Sequence, residues 1–260
     1  MGEQIISLLN EYKILKNDFI AFFNKIVKSG YEIYVDTLIK FFNKLPQHTQ
    51  HSGSGSYYEV QFDHYRFIIH ELFLNLIALL LKNEKYKLLE ELLYSKYQAY
   101  NSNPYHNSKR LAFGLFYNPI SSIDVYYKQL KNVDYSYPMG VLLIERLSEI
   151  ISKNILIEAD VLCYYIFEYN VKGNSENYYE ERWIPLTYLS QNYAVLEFFN
   201  QLVSKRHFDK VKGLFGVETP QELKIKLSGG NDNKGLISRA YRESINIDQV
   251  IKPDTLATER

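Results

Sequence analysis

The densest group of side chains able to do chemistry is Glu59, Asp63, Arg66 and His70, within the run Glu59-Val60-Gln61-Phe62-Asp63-His64-Tyr65-Arg66-Phe67-Ile68-Ile69-His70-Glu71. Spacings of four, three and four residues put all of them on one helical face. Two carboxylates and a histidine on one face can bind a divalent metal or perform acid–base work, the chemistry of a nuclease or other hydrolase. Two sharper motifs are missing. A metalloprotease helix needs a second histidine four residues after the first, and Leu74 stands there. An arginine–histidine ribonuclease signature wants a wider separation than the three residues between Arg66 and His70. The competing reading is a polar stripe that satisfies itself by salt bridges where the helix meets its neighbours.

Other candidates are thinner. His48 and His51 lie in Gln47–Ser56, whose Gly-Ser alternation behaves as a random coil, and His106 has no evident partner. Cys163, the one cysteine, sits among Leu162, Tyr164 and Tyr165 and reads as a buried, inert thiol; alone it forms no internal disulfide and no cysteine-based zinc site. Neither phosphate-binding glycine motif occurs, and Ser54 between two glycines lies in coil rather than in a nucleophile elbow. Lys205, Arg206, His207, Lys210 and Lys212 could form a basic edge, which would bind RNA or DNA weakly and with strong salt dependence. No cofactor and no metal site are expected.

The elements that would position these residues are helices. Ile5, Leu8, Leu9, Tyr12, Leu15, Phe19, Phe22, Phe23 and Ile26 recur at spacings of three and four, one apolar stripe that Ser29-Gly30 ends. A second helix through Leu38, Ile39, Phe41, Phe42 and Leu45 closes at Pro46, making 1–46 a helical hairpin. After the 47–56 loop, a long helix over 57–82 is apolar nearly all round in its second half and should be the most buried element. Further helices are expected over 85–94, 120–131, 138–151, 158–169, 194–204 and 208–214. Thr219-Pro220-Gln221-Glu222 is a capping box that starts a short helix over 220–227. Thus 57–227 is the main bundle, and 228–260 a loop, a short helix and a loosely docked tail. With no strand-rich block and no fixed repeat, the expected fold is all-α: an irregular bundle of about ten helices.

Composition bounds the function. With 30 Lys+Arg against 30 Asp+Glu in 260 residues, the chain lacks the surplus cations of a general polyanion binder. Charge is uneven, acidic over 155–200 and basic from residue 201, which suits docking to a protein. Tyrosine is the outlier, 24 beside 15 Phe, in pairs such as Tyr57-Tyr58, Tyr126-Tyr127, Tyr164-Tyr165 and Tyr178-Tyr179. Compositional bias and core packing account for most of it, and a partner surface is its best functional use. The apolar run from Phe67 to Leu81 is shorter than the ~20 residues of a membrane helix. The start Met1-Gly2-Glu3-Gln4 lacks the pattern of a signal peptide, and Ile6 occupies the position where myristoylation wants Ser or Thr. A cytoplasmic protein without membrane contact is expected.

Two stretches, His70-Glu71-Leu72-Phe73-Leu74-Asn75-Leu76-Ile77-Ala78-Leu79-Leu80-Leu81-Lys82-Asn83-Glu84 and Ser204-Lys205-Arg206-His207-Phe208-Asp209-Lys210-Val211-Lys212-Gly213-Leu214-Phe215-Gly216-Val217, resemble a helical module of uncharacterised bacterial proteins. That module often follows an effector or signalling domain in multidomain proteins of the anti-phage defence type. The resemblance spans most of 57–227 and maps no catalytic residue. It implies a recognition or assembly part, any enzymatic domain being missing or supplied by another polypeptide. The expected function is therefore a non-catalytic interaction module with a protein partner or a second copy of itself. The alternatives are a hydrolase on the Glu59–His70 face and nucleic-acid binding on the basic edge.

Overall fold

The computed structural model describes residues 2–29, 35–49, 56–99, 109–118, 120–132, 137–171, 181–191, 194–229 and 250–259. Among them are eleven α-helices and one two-stranded ladder. The fold is all-α.

Two long helices form the centre. In α3 (Asp63–Lys82) every side chain from Phe73 to Leu81 is buried, because the apolar run covers its whole circumference. α7 (Lys153–Ile166) packs against it, buried from Leu156 to Ile166. Ser152 caps α7 by accepting from the Ile155 N–H at 3.4 Å. α1 (Gly2–Ser29) lies on the other flank of α3, and α2 (Val35–Lys44) joins it through the stacked Phe19 and Phe41 rings, 5.5 Å apart. Around this centre run α4 (Tyr86–Tyr94), α5 (Ser121–Lys131), α6 (Pro138–Glu145), α8 (Leu186–Leu189), α9 (Glu197–Asn200), α10 (Lys205–Val211) and α11 (Pro220–Gly229). β1 (Tyr97–Gln98) pairs antiparallel with β2 (Arg110–Leu111). Phe73 anchors an aromatic cluster with Phe42, Phe116, Phe113, Tyr97 and Trp183, all at ring separations of 4.8–6.2 Å.

Several boundaries differ from those expected. The third helix starts at Asp63, the preceding Glu59–Phe62 being a 3-10 turn. α6 stops at Glu145, short of the expected 151, and the side chain of the capping residue Arg146 turns inward to Glu71. α7 begins at Lys153, earlier than the expected 158, and continues past Ile166 as one widened π turn, Phe167–Val171. Pro46–Thr49, with its last three residues expected in the loop, is a 3-10 turn, while Gln50–Gly55 lies outside the described residues. The end of the chain is bound tightly rather than loosely. Lys205 N–H donates to the Glu259 carbonyl at 2.8 Å, Glu259 N–H to Val203 at 3.0 Å, and Ile251 is fully buried. Of the loop, short helix and tail expected over 228–260, residues 230–249 lie outside the described residues.

Gly140 allows one close approach. A Cβ there would meet the Leu186 carbonyl oxygen at 2.1 Å, so α6 and α8 touch only because residue 140 has no side chain.

The Glu59–Lys82 segment is long and apolar enough to cross a membrane by length and composition, unlike the shorter run counted from the sequence. Its apolar window is 78% buried inside the bundle.

Candidate functional site

The four residues of the polar face do not converge. Glu59 lies on the 3-10 turn and is exposed. Asp63 Oδ1 accepts from Arg66 Nη1 at 3.0 Å, and its other oxygen accepts from the Ser122 hydroxyl of α5. Arg66 also donates to the Glu59 backbone carbonyl at 3.4 Å and to that of Thr49 at 3.5 Å. Asp63 and Arg66 thus clamp α3 to α5 and to two flanking turns. His70, two turns deeper, is fully buried with its ring 4.9 Å from Trp183 and 5.5 Å from Tyr117. Burial pushes its pKa down to about 4, with a weaker upward pull from the Phe116 backbone. Neither ring nitrogen makes a hydrogen bond of ordinary geometry with the described residues. Among the described residues no three His, Cys, Asp or Glu side chains are placed to hold a metal ion. His48 is exposed beside Tyr65, and His51 and His106 lie outside the described residues. Cys163 is fully buried, and burial beside Asp160 pushes its thiol well above the usual range.

The basic edge is partly consumed. Lys210 pairs with Glu84 at 3.2 Å and Lys212 with Glu218 at 2.9 Å. His207 turns inward, its ring edge-on to Phe198 at 5.4 Å. Lys205 and Arg206 remain exposed and, among the described residues, unpaired.

Two buried polar clusters went unread in the sequence. In the first, Arg146 donates Nε–H to Glu71 Oε1 at 2.9 Å, Nη2–H to Glu71 Oε2 at 3.0 Å and Nη1–H to the Leu9 carbonyl at 2.8 Å. Lys16 Nζ joins Glu71 Oε1 at 3.4 Å and reaches the Arg146 carbonyl. Burial pulls the Lys16 pKa down. In the second, Asp160 accepts from Trp183 Nε1 at 2.7 Å, Thr187 N–H at 2.9 Å and the Thr187 hydroxyl at 2.7 Å, and is pushed up to about 6 by burial. Nearby on α7, Glu158 accepts from Phe198 N–H at 2.8 Å and is raised to about 7, burial again leading. These carboxylates receive the otherwise orphaned N–H groups at the starts of α8 and α9. The cue was Glu71 within an apolar run and Lys16 one heptad beyond Leu9; neither names its partner.

The surface offers a different feature. Ile14, Leu15 and Phe22 on α1 are 69%, 64% and 60% exposed. The sequence places Leu15 and Phe22 in the buried stripe, whereas the structure seats Ile5, Leu9, Lys16, Ile20, Phe23 and Val27 there. The stripe is wider than the face that α3 and α5 cover, so its margin is left outside. Beside the N-terminal half of α1 runs an open groove of about 400 Å³ lined by Gln4, Ser7, Leu8, Glu11, Gln61 and His64, among others. Tyr58 is exposed, while Tyr97, Tyr127 and Tyr165 are core; Tyr178-Tyr179 lies outside the described residues.

No protein-family model, curated protein or solved structure matches the chain.

Proposed function

We propose that the chain is a non-catalytic α-helical protein-interaction module, a scaffold, sensor or regulatory subunit of an intracellular bacterial system of the anti-phage defence kind. The observation that carries this reading is the apolar outer face of α1, where Ile14, Leu15 and Phe22 lie exposed on one side of a 28-residue helix. Large apolar side chains grouped on one exposed face mark binding surfaces. Of the side chains that could do chemistry, Asp63 and Arg66 pair with each other at 3.0 Å, and the His70 ring lies buried 4.9 Å from Trp183.

The test is purification of the tagged chain from its native host, wild type beside a Leu15→Glu/Phe22→Glu double variant. Both positions are exposed, so the variant keeps the fold, which circular dichroism checks. The wild type is expected to retain a stoichiometric protein, a second copy of the chain included, and the variant to lose it. Identical eluates from the two would count against the module reading. The weaker alternative, nucleic-acid binding, rests on Lys205 and Arg206 alone and would show as absorbance at 260 nm that vanishes in moderate salt.

A further inference from the structure

We propose that the outer face of α1 pairs antiparallel with the same face of a second copy of this chain; this rests on the interaction-module reading and names its partner. The exposed positions Glu11, Ile14, Leu15, Asp18, Phe22 and Lys25 lie within about 100° of the helix circumference at 100° per residue. Their order is self-complementary. Turning the helix end for end about Asp18 sets Glu11 against the partner's Lys25, and Ile14 and Leu15 against the partner's Phe22.

The charge pattern selects this orientation over a parallel one. The exposed ionic residues of α1 run Glu3, Glu11, Asp18 and then Lys25, Lys28, acidic towards the helix start and basic at its end. A parallel copy would set like charge against like, whereas an antiparallel copy sets opposite charges together and opposes the two helix dipoles. Such a two-fold contact is isologous and closes, so it yields a dimer and no filament. From Glu11 to Lys25 the strip is about 21 Å long at 1.5 Å per residue and no wider than the ~10 Å of the helix, so it covers roughly 200 Å², short of a standard interface of ~800 Å² per partner. A contact this small is expected to be weak, so the dimer is sought at high protein concentration. One residue works against the pairing: Asp18 meets its own copy at the axis.

Sedimentation equilibrium on the full chain, at low salt and up to several hundred micromolar, reads this directly. The wild type is expected to show a monomer–dimer equilibrium. Glu11→Lys and Lys25→Glu should each weaken it about tenfold, by replacing two attractive contacts per dimer with two repulsive ones. The double variant Glu11→Lys/Lys25→Glu should return to within about threefold of wild type, because the pairs are re-formed with reversed sign. Asp18→Asn should tighten the dimer several-fold. All three positions are exposed, so these variants leave the core untouched. A chain that stays monomeric throughout overturns the pairing, as does a double variant no better than the singles. So does a dimer indifferent to all four variants. A monomer that still loses a host protein on Leu15→Glu/Phe22→Glu overturns self-pairing while leaving the module reading intact.

Discussion

His70 and Asp160 both touch Trp183, and pH acts on them in opposite senses. The imidazole is held down at about 4, so its contribution is fully present above pH 6.5 and is lost as pH falls from there through 4. Asp160, raised to about 6, and Glu158, raised to about 7, contribute stability that is present below about pH 4 and lost as pH rises through 6 to 7. Between pH 7 and pH 4 the two effects offset each other. Replacing His70 with Phe removes one of them. Relative to its own value at pH 7, the His70→Phe variant should gain about 3 kcal/mol over the wild type by pH 4. Urea unfolding at pH 7, 5.5 and 4 measures it, and parallel curves for the two proteins would count against the assignment. None of this was readable from sequence. The four-three-four spacing is real, but a spacing says which side chains share a face, not whether the face meets water or Trp183.

At the scale of elements, α1 is held to the bundle by an ion cluster as well as by apolar packing. Glu71 of α3 is the one carboxylate between Arg146 and Lys16, all three buried. Glu71→Gln leaves two buried cations without their counter-charge and should destabilise the protein by about 3–5 kcal/mol. Lys16→Met keeps the Arg146–Glu71 pair and removes a desolvated ammonium, so it should stay within about 1 kcal/mol of wild type or exceed it. Chemical denaturation of the two variants decides; equal losses would show that Lys16 is as necessary as Glu71. The helices themselves were legible, since periodicity at three and four residues marks α1, α3 and α7 well. Their ends were less so, because α6 stops where Arg146 must reach a residue 75 positions away. The apolar stripe of α1 was legible in the same partial way. Its period identified the helix, but Leu15 and Lys16 are adjacent, and only the position of α3 decides which of them faces in.

Across the whole molecule, most of what unites the helices is remote in sequence. The Asp160 carboxylate holds Thr187, Glu181 holds the Ala112 N–H, and the residues around Glu259 lie along 202–205. All-α architecture and the buried central helix could be read from composition and pattern. The docking of residues 250–259 could not, since its bonds to 202–205 are backbone to backbone and leave no trace in side-chain type, and the Lys224–Asp254 ion pair at 2.6 Å joins residues 30 apart.

The Arg146 cluster also bears on the order in which the helices are expected to assemble. Its hydrogen bonds join residues 75 and 137 apart, so they close long loops and gain nothing until α3 and α6 are already in place. Docking of α1 is therefore expected after the rate-limiting step rather than within it. Arg146→Met should raise the unfolding rate and leave the refolding rate within about twofold, which stopped-flow chevron analysis measures. A refolding rate that fell with stability would instead put α1 in the nucleus. On this order, the helix that carries the exposed apolar strip is the last to be secured and the first to be released.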